Sequence, residues 1–303
     1  MSRAATVTMG FLAVLAAALV GLPASAAELW TENAQDAMAQ AAKEKKDLLI
    51  DFTGSDWCGW CQKLDKEVFS QDAFVAEAPK SFVFLKLDFP HNRPLSDETK
   101  KQNAEWQQKF SVRGYPTIIL ADATGKPYAQ TGYRPGGADE YLKHLAELRQ
   151  AREKRDQALA KAAAAQGVEK AKLLDAALST MDPDMVLGAY SDTVAEIIKL
   201  DADGKAGLKA KYEGRALVKK ITATLQTGKF DEAIAQADDA LKTVGATGET
   251  AQDLFFVKAL ASFNKKDMPA TKTALEAALK AAPDSKKAPQ IKDVIDRLSK
   301  DAK

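Results

Sequence analysis

Two cysteines separated by two residues are the side chains of this sequence best suited to chemistry. Cys58 and Cys61 are the only cysteines in 303 residues, and they lie within the stretch Trp57-Cys58-Gly59-Trp60-Cys61. This spacing lets two sulfurs close a disulfide within one helical turn. If Cys58 lies at a helix N-terminus, unpaired backbone N–H groups and the helix dipole favour its thiolate, the nucleophile of disulfide exchange. Cys61, one turn further on, is then expected to be buried and to resolve the mixed disulfide.

Two other interpretations of the cysteine pair stay open. A zinc site needs about four ligands, and the only histidines, His91 and His144, stand at distant and unrelated positions. An inert structural disulfide is the second alternative, although two cysteines this close constrain almost no chain between them. The apolar strand before the pair and the helix predicted after it favour redox chemistry. We therefore predict a redox disulfide between Cys58 and Cys61, with no metal and no cofactor.

The first residues predict an export signal. Arg3 supplies positive charge, Phe11 to Leu22 is an apolar run too short to span a bilayer comfortably, and Ala24-Ser25-Ala26 is a small-residue cleavage site. We expect a signal peptide over residues 1–26, cleavage after Ala26, and a periplasmic or secreted protein. An uncleaved membrane anchor is the alternative. The formal charge of +1, with both signs interspersed, gives no indication of a nucleic-acid partner.

Helices and strands alternate in the first half of the predicted mature chain. The predicted strands are Leu48–Thr53, Phe82–Asp88, Thr117–Leu120 and Pro127–Thr131, and the predicted helices are Ala27–Lys46, Cys58–Phe69, Ser96–Phe110 and one that starts at Ala138. Ala34, Ala37, Ala41 and Ala42 are expected on one side of the first helix. The last two strands form a hairpin around the turn 122–125. This order implies a mixed sheet with helices on both faces.

Several motifs of this half occur together in one known family. Asp51-Phe52, the stretch 57–61, Lys86, Gly114-Tyr115-Pro116-Thr117 and Gly132 are the matching residues. With these motifs, residues 28–148 resemble the thioredoxin family. The resemblance implies an α/β thioredoxin-like fold and an enzyme that exchanges thiols and disulfides with proteins.

The resemblance also implies roles for individual residues. Pro116 is expected to be cis, to face the cysteines and to leave the backbone of Tyr115 open to a substrate strand; a plain strand-leading proline is the alternative. Asp51 is expected to be the buried acid that relays protons to Cys61, with Lys86 beside it; a merely structural Asp51–Lys86 pair is the alternative. The predicted substrate-binding residues are Trp57, Gly59, Trp60, Tyr115 and Pro116, with ordinary surface packing as the alternative for the two tryptophans.

Three departures from the family pattern leave the redox direction open. One extra residue separates Asp51 from Cys58, so the turn 53–56 is expected to bulge. The dipeptide between the cysteines is Gly-Trp, without the proline of reducing thioredoxins or the histidine of strong oxidases. Lys66 stands where a helix-kinking proline is usual.

The second half is predicted to be helical throughout. The helix that starts at Ala138 continues to about Gln166, and its charged middle suggests a solvated linker between two domains. We predict a thioredoxin-like domain over 27–148, a linker helix over 149–167 and an all-α, helical-repeat-like domain over 168–303. Two turn–helix stretches, 228–241 and 264–279, are similar to tetratricopeptide repeats. Such arrays dock protein partners; a helical cap or a dimerisation element is the alternative.

Two functional hypotheses follow from these predictions. The first is an exported thiol–disulfide oxidoreductase that acts on protein thiols and disulfides and exchanges electrons with a membrane-bound partner. The second is a protein-binding module, in which the helical repeats recruit partners and the thioredoxin-like half is a scaffold or redox sensor.

Overall fold

The computed structural model describes residues 29–301, so the predicted signal peptide lies outside the described residues. A five-stranded sheet forms the first half, and its strands are β1 (Trp30–Thr31), β2 (Asp47–Thr53), β3 (Phe82–Asp88), β4 (Thr117–Ala121) and β5 (Pro127–Thr131). The helices of this half are α1 (Ala34–Glu44), α2 (Gly59–Leu64), α3 (Asp72–Glu77), α4 (Asp97–Phe110) and α5 (Gly137–Ala164).

The sheet is mixed, as the sequence predicts. Its strand order is β1-β3-β2-β4-β5, with β3 parallel to β1 and β2, and with β4 antiparallel to both β2 and β5. All seven residues of the central strand β2 are buried, which explains its nearly continuous apolar sequence. Strand β1 was not predicted, because two residues are too few to show an alternating pattern.

Helices cover both faces of the sheet. One face packs α1 and α4 against Leu48, Ile50 and Phe52, and the same apolar cluster extends into the second half of the chain. The other face packs α2, α3 and α5 against Leu49 and Phe84. In α1, Ala34, Ala37 and Ala41 are buried as predicted, whereas Ala42 is exposed. The expectation for Ala42 is wrong because a residue one position after Ala41 turns about 100° away on a helix.

The helix that carries the cysteines changes its winding after one and a half turns. It continues from α2 into a π-helical segment, Asp65–Phe69, in place of an uninterrupted α-helix. Lys66, which stands where a kinking proline was expected, lies inside this segment. A π-helical turn accommodates one more residue than an α-helical turn, and such segments are frequent at functional sites.

One side of the charged middle of α5 packs onto the sheet, whereas the sequence-based expectation was a solvated linker. Asp47, fully buried at the start of β2, accepts hydrogen bonds from Arg149 Nε at 3.0 Å and Tyr128 Oη at 2.8 Å, and it also pairs with Arg152. Arg155 is 4% exposed and binds Asp122 at 2.8 Å. Arg149 and Arg152 remain 41% and 34% exposed, so the prediction misses mainly Arg155. Periodicity does not show which charged side chains find buried partners on the sheet.

The second half is entirely helical among the residues described. Its helices are α6 (Gly167–Leu178), α7 (Pro183–Ala189), α8 (Ser191–Leu200), α9 (Leu208–Gln226), α10 (Phe230–Val244), α11 (Glu249–Asn264), α12 (Met268–Ala281) and α13 (Ala288–Asp301). Asp182 caps α7, with Pro183 at its first position, as predicted. Tyr190 and Tyr212 are buried, in agreement with their expected core role. None of the helices between residues 29 and 301 is long and apolar enough to cross a membrane.

Two contacts fix the helical half against the sheet half. Arg155 Nη1 donates to Tyr190 Oη at 3.0 Å, and Tyr190 Oη donates to the carbonyl of Pro127 at 2.6 Å. Gly188 in α7 lies so close to the end of α4 that a methyl group there would be 2.1 Å from the Lys109 carbonyl oxygen. The two halves therefore share an interface with fixed geometry.

Candidate redox-active site

The two cysteines form a disulfide at the start of α2. Cys58 has extended backbone angles and is the N-cap residue of the helix. Its sulfur accepts a hydrogen bond from the backbone N–H of Cys61 at 3.2 Å. The same N–H group also donates to the Cys58 carbonyl oxygen at 3.0 Å, in the first turn of the helix. When the disulfide is reduced, the same N–H and the helix dipole stabilise negative charge on Cys58.

Both cysteines are nearly covered, whereas the glycine between them is exposed. The exposed fractions are 7% for Cys58 and 5% for Cys61, so Cys61 is buried as expected and Cys58 is nearly as well covered. Gly59 is exposed, and no atom lies within 4 Å of the position that its Cβ would occupy. A side chain at position 59 would therefore point into open space.

Trp57 is held rigidly on one side of the disulfide. Its ring nitrogen donates to the carbonyl of Phe89 at 2.8 Å, and its ring stacks on His91 with centroids 4.7 Å apart. Tyr115 meets the same ring edge-on at 5.7 Å. A side chain at Gly54 would lie 2.4 Å from the ring, so the indole needs glycine there. His91 was missed as a site residue, and the sequence offered no signal because its partner is 34 positions away.

Trp60 forms an exposed aromatic surface on the other side of the disulfide. It is 59% exposed and packs against Tyr133 with ring centroids 5.2 Å apart. Lys63 Nζ lies 5.2 Å from the Trp60 ring centre and 5.0 Å from the Tyr133 ring centre. Tyr133 Oη donates to Glu67 at 2.6 Å, which holds the tyrosine in place. Tyr133, which follows the matching Gly132, was not predicted as part of the site.

Asp51 is a buried acid on β2. Burial raises its pKa from 3.8 to about 7, the positive charge of Lys86 acts in the opposite direction, and Asp65 and Asp88 raise the pKa further. Within residues 29–301, its Oδ1 has no hydrogen-bond partner. Asp65 follows Cys61 by four positions and so lies on the same helix face. Asp51 stands two residues after Leu49 on β2, and so faces the same side of the sheet as Leu49, which shares an apolar cluster with Leu64 of α2.

Lys86 is the neighbour of Asp51 across the sheet but makes no salt bridge with it. The two residues are register partners in β2 and β3, and Lys86 Nζ lies 5.5 Å from the centre of the Trp30 ring. Among the salt bridges of the described part of the chain, none joins Lys86 to Asp51. Lys86 therefore affects the carboxyl through space, and a structural ion pair is not present.

The loop before β4 completes the site. The Tyr115–Pro116 peptide bond is cis, as the family resemblance implied. Gln107 Nε2 donates to Tyr115 Oη at 2.7 Å, and the edge-on contact with Trp57 brings this loop to the cysteines. A methyl group at Gly132 would lie 3.1 Å from the Pro116 carbonyl oxygen, which explains glycine at this position.

The extra residue before Cys58 is absorbed by a well-bonded turn. Ser55 donates from its N–H and its hydroxyl to Asp88, at 2.9 and 2.7 Å. Asp56 accepts hydrogen bonds from the backbone N–H groups of His91 and Asn92, which lowers the pKa of its carboxyl. The turn 53–56, which was predicted to bulge, thus joins the cysteine loop to the end of β3 and the segment after it through these hydrogen bonds. No cluster of metal-binding side chains occurs in the part of the chain that the structure describes.

Comparisons with known proteins agree with this geometry. Residues 34–149 match the family described as a thioredoxin-like domain. The disulfide bond reductase DsbH of Chlamydia pneumoniae is 32% identical over 120 residues, which cover 40% of this chain and 72% of that protein. The thioredoxin-related protein DsbJ of the same organism is 30% identical over 30% of this chain and 26% of its own length.

A more distant relative is much longer than the matched region. The thiol:disulfide interchange protein DsbD of Actinobacillus pleuropneumoniae is 31% identical over 110 residues, which cover 35% of this chain but only 17% of DsbD. These three similarities each cover less than half of this chain.

Proposed function

Because this chain belongs to the thioredoxin-like family and is a thiol–disulfide oxidoreductase, we propose that it works as an exported reductase of protein disulfides. The observation that carries the proposal is the position of the Cys58 sulfur, which caps α2 and accepts the Cys61 N–H. The reductive direction is supported by the similarity to DsbH, whose name describes a disulfide bond reductase. Export is supported by the apolar, small-residue segment that ends at Ala26.

The reaction consists of two successive thiol–disulfide exchanges. The Cys58 thiolate attacks one sulfur of the substrate disulfide, forms a mixed disulfide and releases the other substrate sulfur as a thiolate. Asp51 takes the proton of Cys61, whose sulfur then attacks Cys58 and releases the second substrate thiolate. The substrate gains two electrons, and the enzyme ends with the Cys58–Cys61 disulfide. A carboxyl with a pKa of about 7 is suited to accept a proton near neutral pH.

Each cycle leaves the enzyme oxidised, so it needs an external dithiol. We assign this role to a membrane-bound electron-transfer partner, a proposal supported by the similarity to a part of DsbD. The donor would reduce Cys58–Cys61 by the reverse exchange and become a disulfide itself. Trp57, Gly59, Trp60, Tyr115 and Pro116 are proposed to contact both substrate and donor, because the first three directly flank the cysteines and the Tyr115 loop packs against the Trp57 ring.

Reduction of insulin disulfides with dithiothreitol as the electron source tests the catalytic role. Cys58→Ser is expected to abolish turnover, and Cys61→Ser is expected to accumulate the mixed disulfide; parental activity in Cys58→Ser would refute the proposal. The direction is tested by the reduction potential of the cysteine pair. A value near about −270 mV supports a reductase, whereas one near about −120 mV indicates an oxidant.

The role of Asp51 has its own test in the pH dependence of turnover. Asp51→Asn is expected to slow resolution of the mixed disulfide above about pH 7 and to remove the limb of the pH profile that belongs to the carboxyl. Lys86→Met is the companion variant, because loss of its positive charge is expected to move that limb to higher pH. Identical profiles in the parent and Asp51→Asn would exclude the relay.

A protein-binding role of the helical half is the second candidate function. It is favoured by two exposed apolar side chains of α11, Leu260 and Phe263, which are 37% and 54% exposed. Tetratricopeptide-like pairing is supported by the succession of α9 with α10 and of α11 with α12, each pair joined by a short turn. Loss of partner capture by the full-length protein when both side chains are changed to serine would support this role, and unchanged capture would contradict it.

A further inference from the structure

A groove of about 680 Å³ opens on the helical half of the protein. Val218 of α9 and Phe256, Val257 and Leu260 of α11 contribute apolar side chains to it. Phe256, Leu260 and Phe263 follow one another at helical spacing and so lie along one face of α11. The groove therefore continues into an exposed apolar stripe, the kind of surface that marks a site of interaction with another molecule.

One end of this groove is formed by the loop of the redox site. Arg113, which lines the groove, is only two residues before Tyr115, and its guanidinium pairs with Asp184 at the start of α7. Two residues of chain span at most about 7 Å. The groove therefore begins within about 7 Å of Tyr115, which is close enough for a strand paired with Tyr115 to continue into it.

Hydrogen bonds hold the loop and the groove in a fixed relation. Ser111 Oγ donates to the Asp184 carbonyl at 2.9 Å. Lys219 Nζ of α9 donates to Ser111 Oγ at 2.9 Å and to the same carbonyl at 3.1 Å. These three residues come from the segment after α4, from α7 and from α9, so the α7 and α9 sides of the groove are tied to the loop.

The backbone of Tyr115 is available for pairing. Between residues 29 and 301, neither its N–H nor its carbonyl has a hydrogen-bond partner. Main-chain groups of this kind bind an extended peptide by adding it as a strand. The groove rim carries both signs of charge: Arg215 and Lys286 are positive, and Glu249 and Asp182 are negative. Such a rim does not select by charge, so the apolar floor determines what binds.

We propose that the groove binds the extended polypeptide of the protein substrate itself, on one side of the disulfide that is being reduced. This inference rests on the proposed reductase function and names its substrate class: unfolded or extended chains with an apolar side chain within a few residues of the cysteine. The segment pairs with Tyr115, passes Arg113 and places its apolar side chain against Leu260. The helical half thus selects long substrates over short ones.

The test compares a long and a short disulfide substrate in the full-length enzyme. The long substrate is an unfolded polypeptide of about 60 residues with one disulfide, and the short one is oxidised glutathione, which has no apolar side chain to place against Leu260. Leu260→Glu is expected to raise the KM ratio of long to short substrate about tenfold, the scale of one lost buried leucine, without a fall in kcat. Leu260→Ser, a milder change, is expected to raise it less.

The matched control is Val294→Glu on α13, since Val294 is 40% exposed and lies outside the groove. It is expected to leave the KM ratio at the parental value. If the parent reduces both substrates and Leu260→Glu leaves the KM ratio unchanged, the docking proposal alone is overturned. The docking proposal is also overturned if the parent is a dimer, Leu260→Glu converts it to monomers and the KM ratio is unchanged. That result assigns the groove to a second copy of the chain. A parent that reduces neither substrate overturns the reductase function and this inference together.

Discussion

Replacing the buried acid Asp51 with asparagine should change the pH dependence of stability. Asp51 is 5% exposed, and burial raises its pKa from 3.8 to about 7. The folded protein therefore holds this proton more tightly than the unfolded chain does. The free energy of unfolding must then fall as the pH rises from about 4 to about 7, and Asp51 causes no further decrease at higher pH.

The size of the effect follows from the same pKa values. At about 1.36 kcal/mol per pKa unit, ionisation of Asp51 costs the folded state about 4 kcal/mol at pH 9. The carboxyl is nearly inaccessible to water, so solvent screening reduces this figure little. Asparagine has a similar shape and no charge at any pH. Asp51→Asn is therefore expected to be about 4 kcal/mol more stable at pH 9, relative to the difference between the two proteins at pH 4.

Urea denaturation of the oxidised proteins, followed by tryptophan fluorescence, measures this difference. The four tryptophans are at positions 30, 57, 60 and 106, so their emission reports unfolding of the thioredoxin-like half. Other carboxyls titrate in both proteins, and only the difference between the two pH profiles belongs to Asp51. Parallel profiles between pH 4 and pH 9 would refute the reasoning. Asp97→Asn is the matched control, since the Asp97 carboxyl is 95% exposed. This substitution is expected to leave the pH profile of stability the same as that of the parent.

Two further predictions concern the contact between the halves. Gly188→Ala is expected to lower the free energy of unfolding by about 1–3 kcal/mol, because its methyl group would lie 2.1 Å from the Lys109 carbonyl oxygen. Chemical denaturation checks this change against Gly59→Ala, whose methyl group meets no atom within 4 Å, and equal losses in both would contradict it. Arg155→Met should lower the free energy of unfolding by about 3–5 kcal/mol, because it removes a buried cation from its partners, and Tyr190→Phe should lower it by about 1 kcal/mol. Thermal unfolding measures both losses. A loss in Arg155→Met no larger than that in Tyr190→Phe would show that the buried ion pair is unimportant.

The chemistry of the cysteines and most of the sheet could be read from local patterns. The bounds of β3 and β5 agree with the predicted strands, and the two residues between Cys58 and Cys61 already implied a disulfide at a helix start. These features were accessible because helix and strand periodicity, caps and turns depend on residues that are close in sequence. Strand β1 was not predicted for the same reason, since two residues are too few to show a periodic pattern.

Other features depend on residues that are far apart in the chain. The sequence identified Asp51 as an acid in an apolar strand, but only burial by the surrounding elements raises its pKa to about 7. The sequence identified the arginines of α5 as a charged and therefore solvated segment, whereas Asp47 and Asp122 draw them onto the sheet. Neither outcome can be derived from one segment alone.

By itself, then, the sequence determined that a cysteine pair would lie at a helix start beside a mixed sheet, with a helical region after it. Only the tertiary structure decided that His91 stacks on Trp57, that Tyr133 supports Trp60, and that an apolar groove begins two residues from Tyr115. The physical reason is that local backbone preferences act between neighbours in sequence. Desolvation, stacking and charge pairing act between neighbours in space, whatever their separation along the chain.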